Sequence, residues 1–412
     1  MKIALMTNNY KPFVAGVPIS IERLAEGLKQ LGHEVIVFAP TYKNMTKEKG
    51  IIRYHSLLKG IYGGFSIPFP LDFRIKEAFE REKFDIIHVH HPMLIGKVAI
   101  YLSHKYYIPL VFTYHTRYEQ YVHYGLPNKM LTYQPFLNAT QKVVEKYLQH
   151  FFLHCDHIFV PTKGMQSYLT KNCSYENENI SVLPTGISKD NFTVDIQKRN
   201  QIRREYCPEN GSLFLSVSRI AKEKNMVFLL QCMKEYKNNT KKPFKVLLIG
   251  DGPDCEYLKN QTKDMGIEEN IIFMGKIPNC ALKDYYAASD AFVFASKSET
   301  QGIVLLEAFA VGTPVIGVNA TGVSDLIKDG INGYLVEENT EEFSKKMLRL
   351  ESDMQTIEYM KQNAIRTAFD FEESTVAKEA IKQYNEIMLE HKSKWNQNSR
   401  GVEKWKATSI VS

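Results

Sequence analysis

Ser296–Gly317 reads SKSETQGIVLLEAFAVGTPVIG, and the apolar run DAFVFAS leads into it from Asp290 while TPVIGV closes it from Thr313. Both flanking runs have the length and composition of buried strands. Between them GIVLLEAFA has no polar face, so it reads as a helix buried on most sides. Two carboxylates interrupt this apolar stretch, Glu299 and Glu307. An unpaired carboxylate in a dry interior costs several kcal/mol, so each needs partners. Ser296, Ser298 and Thr300 offer cap chemistry, and Gly302 permits close approach to the helix N-terminus, where an anion is readily held. Taken alone, the two glutamates suit a structural role better than a chemical one. The rest of the chain reverses that balance.

Working outward, the strand and helix alternation continues on both sides. SLFLSVSRI, KVLLIGDGPD and NIIFMGKIP precede the stretch as three more strands, each ending in turn residues. Near the start, KIALMT at Lys2, a helix over about residues 19–31 stopped by Gly32, and EVIVF at Glu34 form a strand, crossover helix and strand. That order implies a parallel sheet. DIIHVH from Asp85, PLVFTYH from Pro109, DHIFVP from Asp156 and ISVLPTG from Ile180 extend it. After Gly186 the segment KDNFTVDIQKRNQIRREYCPENG is polar and suits an interdomain connection. The predicted fold is therefore α/β, with two doubly wound Rossmann-like domains facing a central cleft, 1–187 and 188–374. A final helix from about residue 373 to 394 is long enough to return to the first domain, so that 375–412 complete it. No repeat of 20–50 residues is visible, which excludes a solenoid.

Composition agrees. A chain of 412 residues is too long for one ordinary core, and 44% hydrophobic with 24% charged residues is the balance of a folded soluble protein. The six cysteines lie far apart with no CxxC spacing, which argues against a zinc site or a disulfide framework and fits a reducing cytosol. MKIALMTNNY is apolar for too few residues to read as a signal peptide, and no stretch approaches the ~18 apolar residues of a membrane span. Nucleic acid is not an expected partner at a net charge of only +6.

Strand ends carry the candidate chemistry, because ligands of open parallel sheets bind outside the carboxyl ends of the strands. NNYKPFVAGVP, the long turn after the first strand, places Gly16 just before the helix and lacks a GxGxxG dinucleotide fingerprint. In SRIAKEKN, Arg219 and Lys224 follow a strand end and suit a diphosphate, the guanidinium as a planar fork and the ammonium as a point charge; a solvated surface pair explains the spacing equally well. IGDGPD brings Gly252 into a tight turn, and GKIP sets Ile277 where an apolar side chain could lie against a flat base. Glu307 could then accept hydrogen bonds from both hydroxyls of a ribose.

These residues together resemble the family 4 retaining glycosyltransferases of the GT-B fold. SETQGIVLLEAFAVGTPVI is similar to that family's E-x7-E block, and KPFVAGV, GHEVIVFAP, LPTGI, SRIAKEKN and LIGDGPD follow in family order over nearly the whole chain. The resemblance implies a hexosyltransferase that binds its nucleotide sugar on the second domain and its acceptor on the first. It makes Arg219 and Lys224 the diphosphate clamp, Glu307 the ribose ligand and Glu299 the carboxylate beside the donor sugar. His115 corresponds to the family's histidine that reaches the transferred sugar, with Glu299 and His115 as the catalytic pair. Gly16, Gly252, Ile277, Gln301, Gly302 and Ile303 complete the donor site. No protein-bound metal is implied; any magnesium would come with the diphosphate.

Two departures matter. Ala15 replaces the first glycine of the usual Gly-Gly pair, and Glu299-Thr300-Gln301-Gly302 replaces the usual E-x-F-G. The second resembles bacterial enzymes that glycosylate diacylglycerol, as do HPMLIGKVAI and TYHTRYEQYVHYG. UDP-glucose is the donor and a membrane lipid such as 1,2-diacylglycerol the acceptor that this implies; a soluble sugar, a polysaccharide precursor or phosphatidylinositol are the alternatives. A hinged binding protein would need export, against which the unsuited N-terminus counts, and a non-hydrolysing epimerase shares the architecture but fits the E-x7-E arrangement with Arg219 and Lys224 less well.

Charge placement points to an anionic membrane surface, at the inner face of the cell membrane in the expected cytoplasmic setting. Lys43, Lys47, Lys49, Arg53 and Lys59 oppose only Glu48, and Lys392, Lys394, Arg400, Lys404 and Lys406 oppose only Glu403 around Trp395 and Trp405. The predicted helix over 128–152 mixes Lys129, Lys142 and Lys146 with aromatic and aliphatic residues; burial of its apolar face in its own domain is an equal reading. His88, His90 and His91 invite a metal, but strand alternation separates His91 from the other two, so hydrogen-bonding histidines are expected.

Overall fold

Lys2–Met6 forms the first strand, β1, and its residues divide between two cores: Ala4 and Met6 join one apolar cluster, Ile3 and Leu5 another. A strand buried on both faces needs helices on both sides of its sheet. The structure, a computed structural model, describes residues 1–42, 45, 48–61, 65–69, 72–118, 134–172 and 179–408, except the side chains of 57–61, 65–68, 134–137, 172 and 395–408. The chain divides into two compact units, Met1–Gly186 with Glu373–Ser412, and Ile187–Glu372.

Unit 1 continues with β2 (Glu34–Pro40), β3 (Ile51–Tyr54), β4 (Ser56–Ile61), β5 (Phe65–Pro68), β6 (Ile86–Val89), β7 (Leu110–Thr113), β8 (His157–Val160) and β9 (Ile180–Val182). Its parallel sheet has the order β3-β2-β1-β6-β7-β8-β9, and β4 and β5 pair as a separate antiparallel hairpin. The helices are α1 (Gly16–Gln30), α2 (Phe73–Arg81), α3 (Ile95–Tyr106), α4 (Gln134–Phe152) and α5 (Lys163–Asn172).

Unit 2 holds β10 (Ser212–Val217), β11 (Phe244–Ile249), β12 (Ile271–Gly275), β13 (Ala291–Phe294), β14 (Val315–Val318) and β15 (Gly333–Val336), all parallel, in the order β12-β11-β10-β13-β14-β15. Its helices are α6 (Ile196–Tyr206), α7 (Met226–Asn239), α8 (Cys255–Asp264), α9 (Asn279–Ala288), α10 (Ile303–Ala310), α11 (Thr340–Ser352) and α12 (Met354–Phe369). The last helix, α13 (Glu373–Thr408), belongs to unit 1. In both sheets the order reverses beside the first strand, between β1 and β6 and between β10 and β13. These are the switch points at which such sheets bind ligands.

The return of α13 has a plain physical basis. Val376, Ala377, Ala380, Tyr384 and Ile387 repeat at helical spacing, are buried, and join the cluster of Ile3, Leu5, Val37 and Phe159. A Cβ on Gly27 of α1 would stand 2.5 Å from the Glu373 carbonyl oxygen, so α1 and α13 meet backbone to backbone there.

Several elements depart from the sequence reading. Half of the polar segment after Gly186, Ile196–Tyr206, is a helix, α6, packed on α9 within unit 2. Arg203 donates to the Ala288 carbonyl at 2.7 Å and pairs with Asp290 at 2.9 Å, and Arg199 donates to the Ala287 carbonyl at 3.0 Å. Charge-assisted bonds, not an apolar stripe, hold it. Arg53, read as a group facing an anionic surface, is instead tied to Glu48 at 2.6 Å and lies 5.5 Å from the centre of the Tyr10 ring. In α4, Leu148, Phe151 and Phe152 are buried in the unit 1 core while Lys142 and Lys146 are exposed. Lys43, Lys47, Lys129, Cys173, residues 119–125 and the side chains of Lys59, Trp395, Arg400, Glu403, Lys404, Trp405 and Lys406 lie outside the described residues. Among the described residues no helix is long and apolar enough to cross a membrane.

Candidate functional site

β10 and β13 run side by side, so the turns that leave their carboxyl ends are neighbours. Arg219 leaves β10 exposed, and Lys224 ends a single 3-10 turn, Lys222–Lys224. The turn after β13 carries Glu299. Its carboxylate meets the Lys224 ammonium at 2.6 Å, with 18% and 16% of the two side chains exposed. Burial alone would raise the Glu299 carboxyl. The Lys224 charge and hydrogen bonds from Lys224 and Ser296 outweigh it and hold the carboxyl below its ordinary value.

Neighbouring contacts fix both turns. Ser298 donates to the Glu223 carbonyl at 3.4 Å, and Glu338 takes Lys297 and Asn225 at 2.6 Å each. Gly302 adopts a left-handed backbone (φ 77°) and delivers the chain into α10. The first amides of α10 therefore open beside Glu299. Ile303 is half-buried at the helix start, whereas Gln301 is 2% exposed and its side chain belongs to the interior.

Glu307 sits about one turn along α10 and is 4% exposed. The Tyr286 hydroxyl of α9 donates to its Oε2 at 3.3 Å, so the buried carboxylate has the polar company it requires. On the other side of β10, Gly252 lets two strand ends touch: a Cβ there would stand 2.0 Å from the Ile220 carbonyl oxygen. Ile220 donates its amide to the Asp251 carbonyl at 3.1 Å, and Gly250 donates to the Gly275 carbonyl at 2.9 Å. The ends of β10, β11 and β12 are thus laced together, with half-buried Ile277 just beyond. Arg219, Lys224, Gly252, Glu299, Gly302 and Glu307 all lie around the unit 2 switch point.

Gly16 and His115 lie in unit 1. Gly16 is exposed at the first residue of α1, and Ala15 before it is extended (φ −160°), a conformation open to any residue. Alanine at that position therefore strains nothing. His115 follows β7, and its Nε2 lies 2.8 Å from Nδ1 of His90. Burial takes His115 down to about 3. His88 and His90 stack at 4.3 Å between ring centres, while His91 turns the other way. His91 Nδ1 accepts from the Asn8 amide at 3.2 Å, which leaves its proton on Nε2. Among the described residues no group of three or more His, Cys, Asp or Glu side chains is arranged to hold a metal ion.

One site residue escaped the sequence reading. Gly322 has φ 81°, and a Cβ there would stand 2.8 Å from the Glu299 carbonyl oxygen and 2.8 Å from the Thr300 carbonyl carbon. It is the floor on which the Glu299 turn rests. Its only sequence signal is a glycine shortly after the strand TPVIGV.

Residues 197–367 match the family described as glycosyl transferases group 1, and residues 14–191 match Glycosyltransferase Family 4. An alpha-monoglucosyldiacylglycerol synthase of Streptococcus pneumoniae is 32% identical over 349 residues, 81% of this chain and 75% of that protein. One from Acholeplasma laidlawii is 28% identical over 408 residues, 96% and 100% of the two chains. Among solved structures, Anabaena HepE in complex with UDP and glucose superposes with a TM-score of 0.71 at 17% identity, covering 94% of this chain and 100% of that one.

Proposed function

As a member of the family 4 glycosyltransferases the chain is a hexosyltransferase of the GT-B fold, and we propose that it moves glucose from UDP-glucose to a diacylglycerol-type lipid at an anionic membrane surface. One observation carries the donor half. At the unit 2 switch point Lys224 and Glu299 meet at 2.6 Å beside the first amides of α10, with Arg219 on the adjoining turn. Cations and amides converge there with two carboxylates, which is the chemistry a diphosphate, a ribose and a hexose require. The UDP and glucose held by the Anabaena neighbour support the same donor. The acceptor half is supported by the two diacylglycerol-directed relatives and by Glu299-Thr300-Gln301-Gly302. Exposed Lys142 and Lys146 on α4 support the anionic surface.

In the proposed step the bond from the anomeric carbon to the β-phosphate oxygen breaks, and its electron pair leaves with UDP. The acceptor oxygen bonds the same face of that carbon, and its proton passes to the departing phosphate, so configuration is retained. Arg219, Lys224 and the α10 amides stand where negative charge grows, which is where preorganised donors lower a barrier most. Glu307 takes the ribose hydroxyls and Ile277 lies against the base. Glu299 orients hexose hydroxyls and forms no covalent bond. Gly252, Gln301, Gly302 and Ile303 shape the donor side. For unit 1 the proposal keeps Gly16 for the diphosphate and His115 for the hexose.

The test offers the full-length protein labelled UDP-glucose, UDP-N-acetylglucosamine and GDP-mannose in turn, with dioleoylglycerol in anionic mixed micelles or with soluble sugars. Label from UDP-glucose should enter the organic phase, and proton coupling at the anomeric carbon should give an α-linkage. Label confined to a water-soluble product, or transfer only from another donor, would overturn the proposal.

A further inference from the structure

Five side chains of unit 1 form a line, four of which the proposed step does not use. Tyr384 of α13 places its hydroxyl 2.6 Å from His88 Nδ1, and Thr113 at the end of β7 places its hydroxyl 2.6 Å from His88 Nε2. His88 is thereby held at both nitrogens. Its ring stacks on His90 at 4.3 Å with an interplanar angle of 28°. His90 is 1% exposed, and its amide donates to the Met6 carbonyl at 2.9 Å, so its backbone is fixed as well. The line ends at His115, where His90 Nδ1 and His115 Nε2 are 2.8 Å apart and the two ring planes lie within 23°.

We propose that His90 is a positioning residue: it donates its Nδ1 proton to Nε2 of His115 and so fixes His115 as the tautomer with its own proton on Nδ1. The inference rests on the reading in which His115 contacts the transferred hexose.

One of the two facing nitrogens must carry the shared proton. If His115 donated, the single proton of His90 would sit on Nε2. That atom is buried and has no hydrogen-bond partner among the described residues. A buried N–H without an acceptor forfeits a full hydrogen bond, whereas a buried lone pair without a donor is a commoner and milder defect. His90 donation therefore wins. Both rings are neutral, since burial takes His90 far below its ordinary value and His115 to about 3. The Nε2 lone pair of His115 is then committed to His90 and cannot take a proton from a substrate. His115 meets a hexose hydroxyl through the rest of a ring whose orientation is set from behind, as carboxylate-bound histidines are set in metal sites.

Long-range proton–nitrogen spectra of the full-length protein with nitrogen-15 histidine read the tautomer directly, His115 being assigned from its loss in His115→Gln. Wild type should show His115 protonated on Nδ1. His90→Ala should move that proton to Nε2 or mix the two forms, and lower kcat on the order of 10- to 100-fold while donor KM stays within about threefold. His90→Asn presents an amide N–H where the Nδ1 proton stood, and should restore both the Nδ1 form and most of kcat. A wild-type His115 protonated on Nε2, or Ala and Asn variants alike in spectrum and rate, would overturn the proposal. If His115→Ala transfers at the wild-type rate, the hexose contact falls, while the spectra still decide the tautomer.

Discussion

The Lys224 ammonium and the Glu299 carboxylate, 75 residues apart in sequence, lie 2.6 Å apart at adjoining strand ends. Neither is freely solvated, with 16% and 18% of their side chains exposed. A pair this sheltered is screened far less than a surface ion pair, so its two members should not behave independently.

Glu299→Gln keeps the shape and removes the charge. Turnover should fall by about 100- to 1000-fold with little change in donor KM, as the proposed action of the group on the hexose at bond breaking requires. Lys224→Ala should raise KM and lower kcat together. Initial rates for the two single variants and the double variant should give a coupling of about 1–3 kcal/mol. Strict additivity would show that the contact carries no function.

Glu307→Ala should act on binding instead. Donor KM should rise about tenfold or more, at least ~1.4 kcal/mol, with a smaller change in kcat. Tyr286→Phe removes a long hydrogen bond of 3.3 Å to Glu307 and should cost less than about 1 kcal/mol of donor affinity. Isothermal titration with UDP separates the two, and equal losses would contradict the ribose assignment.

Acid should expose the Glu299 contact. Its carboxyl is held below the ordinary 4.5 in the fold, so the contact stabilises the protein fully above that value and is lost as pH falls through the lowered folded-state value. The melting-temperature difference between wild type and Glu299→Gln should be constant from about pH 7 to 5 and shrink below about 4.5. A difference that grew on acidification would reverse the assignment.

Gly322→Ala should damage the site as well as the fold. A Cβ there meets the Glu299 turn at 2.8 Å in a backbone already at φ 81°. Gly330→Ala is the control, with φ 74° and no atom within 4 Å, and should cost only the ~1–2 kcal/mol of a left-handed alanine. Thermal melts should rank Gly322→Ala clearly lower, and only that variant should lose turnover.

How much of this the sequence discloses depends on the force involved. α10 is legible because every side of it is apolar, and the central strands of both sheets are legible because both their faces are buried, whereas the edge strand β3 is only partly buried. α6 is not, since Ile202 is its only buried residue and arginines hold it to the end of α9. β15 is short and begins on glycine, so GYLV carries little pattern. Alternation along β6 correctly parts His91 from His88 and His90. Gly322 is invisible because its role is a backbone approach to Glu299, and nothing in local spacing reports it.

α13 supplies Val376, Ala377, Ala380, Tyr384 and Ile387 to a core whose strands all come from the first half of the chain. During synthesis, residues 187–372 emerge in full before that helix exists outside the ribosome. The second unit can therefore finish folding while the first still waits with an uncovered sheet face and His88 without Tyr384. A nascent chain stopped before α13 carries one complete unit and one unfinished unit, with apolar surface that chaperones and proteases recognise. The order of maturation runs opposite to the order of translation.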